Sequence, residues 1–217
     1  MPSLTIENYV KAIYQISGQA KGKSAATGQL AQALRVSPGT VTSMLKTLSE
    51  SGLATYTPYE GVQLTAAGLA LALRVLRRHR LIELFLVNTL EMPWDEVHEE
   101  AEHMEHAVSD RLVDRIDTFL GFPEVDPHGD PIPRRDGSLE TAPTKTLAEC
   151  APGDTFRVSR VVDQSPEFLR YLAESKLGLG ATGHVSKNRA ESAAITVRVA
   201  EHETTLGREA AEKILVV

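Results

Sequence analysis

The chain has 217 residues, 42% hydrophobic and 24% charged, with 15 Gly and 11 Pro, which excludes collagen-like, coiled-coil and wholly disordered architectures. No window approaches the ~20 apolar residues of a membrane span and the first residues carry neither a basic nor an apolar leader, so a cytoplasmic protein is expected; the single cysteine, Cys150, excludes an internal disulfide framework and any site of several thiolates. The net charge of −6 is unevenly spread: residues 1–80 hold nine Lys/Arg against three acids, a balance of +6, and the rest sums to −12. A basic first third on an acidic remainder points to a nucleic-acid-facing module joined to something else, such as a cation sensor.

In chain order, apolar residues at 6, 9, 10, 13 and 14 predict an amphipathic helix. A second short helix starts after Thr27, breaks at Ser37-Pro38-Gly39, and is followed by a third from Thr40 to Ser51 with Val41, Met44, Leu45 and Leu48 on one face. Helix, tight turn, helix is a DNA-binding shape. Two short apolar runs flank Pro58-Tyr59-Glu60-Gly61, a hairpin signal. Ala66 to Leu90 contains no Pro and only Gly68 as a helix-weakening residue, so one long helix is expected. Another is predicted from Pro93 to about Leu120. Residues 123–143, with five prolines, read as an ordered loop or linker. Beyond them, β-like runs at 155–162, 182–187, 194–200 and 213–217 surround a helical stretch at 166–175, a pattern that fits a small β-barrel.

The densest chemistry lies in His98-Glu99-Glu100-Ala101-Glu102-His103-Met104-Glu105-His106. On one continuous helix, with His98 at zero, Glu102 falls at about 40°, Glu105 at about −20° and His106 at about 80°, a shared arc. On the preceding helix His79 and Glu83 are four apart, so two helices packed together would assemble imidazoles and carboxylates. The alternative is a solvated acidic face. Oxygen and imidazole donors without thiolate suit Mn²⁺, Fe²⁺, Co²⁺ or Zn²⁺.

On these residues the chain resembles the diphtheria toxin repressor and manganese repressor family of metal-dependent regulators. The resemblance spans essentially the whole chain. It is carried by Glu7-Asn8-Tyr9, the helix-turn-helix at 27–51, Arg78-His79-Arg80-Leu81 with Glu83, the runs 94–102 and 105–110, Asp126-Pro127-His128-Gly129-Asp130-Pro131-Ile132-Pro133, and a C-terminal part similar to the SH3-like domain of the longer members. It implies a winged helix-turn-helix domain at 1–73, a helical dimerisation and metal-binding domain at 74–143, and an SH3-like domain at 144–217.

The resemblance also implies two metal sites per subunit. The primary one takes Asn8, Glu102, Glu105 and His106; the ancillary one takes His79, Glu83 and His98 with Gln164 and Glu167 from the third domain, Asp163 being the fallback. Iron-responsive members have Cys where this chain has Glu102, so Mn²⁺ is the implied metal and Fe²⁺ the alternative. Asn8 stands where manganese members have Asp and iron members Met, and Lys11 where two-manganese members without the third domain have Glu. For DNA, the resemblance and the helix-turn-helix together point to Ser37, Pro38, Gly39, Thr40, Thr42 and Ser43 facing the major groove, with Lys46, Thr57, Tyr59 and Lys23 near phosphates. The implied protein is a homodimeric repressor of metal-uptake genes that binds palindromic double-stranded operator DNA when metal is bound, with no membrane partner. It is not an enzyme: a metal-dependent hydrolase would need an open coordination position and a general base in a pocket, and the sequence has neither a nucleophile elbow nor a phosphate-cradling Gly loop.

Overall fold

The computed structural model describes residues 3–19, 24–140, 144–189 and 193–217; Lys23 lies outside them. The chain forms two compact units, Met1–His79 with Glu105–Val108 and Pro133–Ser138, and Arg80–Met104 with Ser109–Ile132 and Leu139–Val217.

The first unit is built from α1 (Leu4–Gln19), α2 (Thr27–Ala33), α3 (Pro38–Glu50), the hairpin β1 (Ala54–Thr57) and β2 (Gly61–Leu64), and the first part of α4 (Ala66–Leu90). Its core is the apolar face the sequence pattern predicts, with Val10, Ile13, Leu30, Val41, Leu45, Leu48 and Val62 fully buried. The breaker Ser37-Pro38-Gly39 starts α3 instead of merely ending α2: Ser37 is its N-cap, its Oγ accepting from Thr40 N at 3.1 Å, and Pro38 occupies the first turn, where proline's missing N–H costs nothing. β1 and β2 pair antiparallel from Ala54↔Leu64 to Thr57↔Gly61. At the hairpin tip Tyr59 holds a left-handed φ of 69° and its ring is wholly exposed, a strained placement for an aromatic residue.

The second unit holds the rest of α4, α5 (Val97–Met104), α6 (Asp110–Phe119) and a five-stranded sheet. The strands are β3 (Thr155–Val161), β4 (Thr182–Asn188), β5 (Ala194–Val199), β6 (His202–Gly207) and β7 (Ile214–Val216), in the order β6-β5-β4-β3-β7 and antiparallel throughout. With α7 (Pro166–Glu174) and α8 (Arg208–Glu212) they enclose one core that includes Leu147, Phe156, Leu169, Leu172, Val185, Ile195 and Ile214. Strand β6 escapes the sequence pattern because Leu206 is its one buried side chain.

One expectation is corrected. The single helix predicted from Pro93 to Leu120 is two helices with residues 105–109 non-helical between them. Ser109 is the reason, since its Oγ accepts from Leu112 N at 3.3 Å and caps a new helix. The arc argument therefore fails for Glu105 and His106, which leave a turn and not a helix face. Of the two readings of the stretch after Pro123, ordered loop or linker, the structure shows the ordered loop, with residues 126–133 buried throughout.

Candidate metal centre and nucleic-acid interface

In the first unit a set of charged side chains is buried together. Glu105 is 0% exposed. Its Oε1 and Oε2 lie 2.9 and 2.8 Å from Lys11 Nζ, and Oε2 lies 2.6 Å from His79 Nδ1. Burial pushes the Glu105 carboxyl up, but the His79 hydrogen bond and the Lys11 charge outweigh it and hold the group below the usual glutamate range. Glu7 lies 2.7 Å from His106 Nδ1 and 3.6 Å from Arg78.

Of the four buried side-chain atoms without a hydrogen-bond partner among the described residues of this unit, which include Tyr9 Oη and Ser17 Oγ, two are of metal-ligand type. Asn8 Oδ1 and His106 Nε2 are buried and lack a hydrogen-bond partner; His106 Nε2 is 3.2 Å from Glu105 Oε1, too poorly aligned to bond. Buried polar groups are normally satisfied, so two orphans of ligand type point to a missing partner. A neutral amide oxygen, an imidazole nitrogen and a carboxylate fit a divalent ion of the Mn²⁺ to Zn²⁺ series. Sequence reasoning missed Glu7 as the orienting partner of His106, and a carboxylate on the far ring nitrogen is the usual support of a metal-binding histidine.

In the second unit Glu83 is buried between two imidazoles. Its Oε1 is 3.3 Å from His98 Nδ1 and its Oε2 is 3.9 Å from His128 Nδ1. Glu83, Asp126 and His128 offer ligand atoms within 4.8 Å of one another, and His128 Nδ1 is a further buried atom without a hydrogen-bond partner. Asp126 and His128 were passed over as ligands, although two acids and a histidine in a proline-locked octapeptide are an unusual donor density. The local chain explains their placement. Asp126 Oδ1 accepts from His128 N at 2.8 Å and Asp130 N at 3.0 Å, closing a turn of the kind aspartate favours, and Gly129 takes φ +86° within it. His128 Nε2 is 2.9 Å from Trp94 O, and its ring stacks on Trp94 at 5.9 Å.

The other expected ligands lie apart from this cluster or at its edge. Glu102, on α5, is 3.8 Å from His98 Nε2. Gln164 donates from its amide nitrogen to Asp130 Oδ2 at 2.6 Å. Glu167, in the first turn of α7, is exposed, and Asp163 is paired with Lys213 at 3.1 Å.

Burial, then the charges of Asp130 and Glu83, hold the Asp126 carboxyl well above the ordinary aspartate range against the pull of Arg80. Its contribution to stability is thus present below the ordinary value and lost as pH rises through the raised folded value. Asp126→Asn keeps the acceptor oxygen and removes the titration. Metal-free Asp126→Asn should match wild type in acid and melt at a higher temperature than wild type in alkali. Parallel melting curves at all pH values would refute this.

On the DNA side, Ser37, Pro38, Gly39, Thr40, Ser43 and Lys46 are exposed and Thr42 is half-buried, on the side of α3 away from Val41, Leu45 and Leu48. Thr42 Oγ1 bonds back to Pro38 O at 2.9 Å. Thr57 and Tyr59 are exposed at the hairpin.

Comparison with known proteins agrees with this anatomy. Residues 1–62 match the iron-dependent repressor N-terminal DNA-binding domain, 65–134 the iron-dependent repressor metal-binding and dimerisation domain, and 145–217 the FeoA domain. The iron-dependent repressor IdeR of Mycobacterium leprae is 31% identical over 192 residues, covering 85% of this chain and 82% of that protein; matches to IdeR of Mycobacterium tuberculosis span 55% of its length. Among solved structures, a manganese-dependent transcriptional repressor in complex with manganese is 42% identical with a TM-score of 0.85, covering 98% of this chain and 99% of that one. The manganese regulator SloR is 32% identical with a TM-score of 0.77, covering 98% and 97%. The basic helix-turn-helix unit, the buried donor sets and these similarities together show that the chain belongs to the iron-dependent repressor family, whose members are metal-dependent, DNA-binding transcriptional repressors.

Proposed function

We propose that this chain is a manganese-activated repressor that binds a palindromic operator as a homodimer and controls metal-uptake genes. The observation that carries the reading is the pair of orphaned buried donors, Asn8 Oδ1 and His106 Nε2, in the unit that also buries Glu105. Asn8, Glu105, His106 and, from α5, Glu102 would hold the activating ion. Glu7 orients His106, and His79 steadies Glu105. The donors are oxygen and nitrogen only, because Cys150 is buried in the core of the C-terminal sheet, and such a set favours Mn²⁺ over softer metals in relative affinity. Likeness to a repressor solved with manganese supports the same choice. The mycobacterial relatives named iron-dependent keep Fe²⁺ as the second reading, and Fe²⁺ stands above Mn²⁺ in intrinsic affinity order.

The second site is assigned to His79, Glu83 and His98 with Gln164 and Glu167, and the Glu83 cluster adds Asp126 and His128 as donors. The division at 1–73, 74–143 and 144–217 belongs to the same reading. For DNA, the exposed N-terminal turn of α3 would enter the major groove, with Lys46 and Tyr59 at the backbone. Small hydroxyls read bases weakly, so DNA shape supplies much of the specificity. For the dimer, Leu90, Leu112, Phe119 and Phe122 are exposed on the second unit and are the large apolar side chains that a partner subunit would cover.

Held by Asn8, Glu102, Glu105 and His106, a divalent ion would supply the positive charge that favours the chain arrangement in which these ligands converge, and DNA affinity would follow by linkage. The test is operator binding titrated separately with Mn²⁺, anaerobic Fe²⁺ and Zn²⁺, for wild type and Glu102→Cys. Wild type should respond to Mn²⁺, and the thiolate should shift the ranking toward the later metals. An identical ranking in both proteins would remove Glu102 from the site, and operator binding indifferent to every metal would end the reading.

A further inference from the structure

Lys11 is a buried charge with no part in the proposed function. It lies on α1 with 5% of its surface exposed, and its Nζ reaches both oxygens of Glu105, at 2.8 and 2.9 Å, as well as His79 Nδ1 at 3.2 Å. One cation thus engages the whole carboxylate. Asn8 stands one turn earlier on the same face of α1, with its Oδ1 orphaned, and His106 Nε2 lies 3.2 Å from the same Glu105. The ammonium therefore sits on the oxygens that a divalent ion would need.

We propose that Lys11 is a built-in competitor for the primary metal site: its ammonium holds Glu105 in the metal-free protein, must leave that carboxylate when metal binds, and so sets the concentration at which metal is taken up. The inference rests on the assignment of Asn8, Glu105 and His106 as ligands. Its physical basis is that a single and a double positive charge on one buried carboxylate repel each other strongly, because little water screens them. In the metal-free state the lysine does necessary work, since a buried carboxylate without a counter-charge is strongly disfavoured. Lysine suits a displaceable role because its point charge rides on a flexible four-carbon stem, whereas the planar fork of arginine would grip the carboxylate in two places.

The test is calorimetric titration of Mn²⁺ into full-length wild type, Lys11→Met, Lys11→Arg and His106→Ala at fixed pH and ionic strength, with melting curves of each protein before and after metal. Lys11→Met should bind Mn²⁺ about tenfold more tightly than wild type, within the range usual for coupling between two ligands. Its metal-free form should melt lower than wild type and its metal-bound form close to wild type. Lys11→Arg should bind no more tightly than wild type. If Lys11→Met does not fold, Lys11→Gln, neutral and able to hydrogen-bond Glu105, should show the same tightening. Unchanged or weaker Mn²⁺ affinity in the neutral variants, or a melting deficit equal with and without metal, would reduce Lys11 to a structural counter-charge and overturn the proposal. Binding that His106→Ala abolishes while the neutral variants match wild type overturns this inference alone; no Mn²⁺ binding by wild type overturns the proposed function with it.

Discussion

His106→Ala protein saturated with Mn²⁺ should bind operator DNA no better than metal-free wild type, a loss of about 100-fold, the upper part of the usual range for coupling between two sites. The deletion acts twice. It removes the imidazole whose Nε2 is buried and unpartnered, and it removes the hydrogen-bond partner that Glu7 has at 2.7 Å, leaving that carboxylate to Arg78 at 3.6 Å. Fluorescence anisotropy with a labelled operator, with and without Mn²⁺, measures the effect, and a melting curve shows that the variant is folded. Wild-type affinity in folded His106→Ala would take this residue out of the metal site.

Gly68→Ala should lower the melting temperature by about 10 °C, the consequence of about 3 kcal/mol in a chain of this length. The sign opposes the ordinary rule, under which alanine stabilises a helix interior relative to glycine. A Cβ at residue 68 would lie 1.8 Å from the Leu53 carbonyl oxygen and 2.9 Å from its carbon, and that oxygen already accepts from Thr65 N at 3.1 Å. Backbone cannot give way as a flexible side chain would, so α4 must part from the start of the hairpin. Thermal unfolding followed by circular dichroism is the measurement. A variant as stable as wild type would mean that the helix and the Leu53 backbone are not in contact.

Gly68 also marks what the sequence could and could not disclose. It reads as the weak point of a long helix whose limits, Ala66 and Leu90, the structure reproduces, but its reason, a carbonyl from another segment, is tertiary. The apolar faces of α1 and α3 were legible because a 3.6-residue period is local, and Val41, Leu45 and Leu48 are buried as that period requires. The break between α5 and α6 was not. Ser109-Asp110 is a helix-start signal, yet apolar and charged residues continue through it without a change of period, and only the Ser109 cap settles the matter. Glu105 and His106 were thus chosen on an arc that does not exist, and they reach the buried set from a turn. The loop at 126–133 was hidden for another reason: proline and glycine mark a turn but say nothing about burial. Its polar backbone is tolerated inside because Asp126 Oδ1 accepts from His128 N and Asp130 N, Val161 N donates to His128 O, and a guanidinium nitrogen of Arg80 donates to Pro131 O.

The unit that carries the recognition helix is assembled from three stretches of chain, 1–79, 105–108 and 133–138. Residues 1–79 alone therefore lack Glu105 for Lys11 and His106 for Glu7, and would expose or strand charges that the intact chain buries. A buried charge deprived of its partner is among the costliest defects a fold can carry. The DNA-reading end is consequently not a detachable cassette. A chimaera that trades residues 1–79 for those of a relative loses Glu7, Asn8 and Lys11 while keeping the turn they are matched to, and functional hybrids within this family must exchange the 105–108 segment together with the first helix.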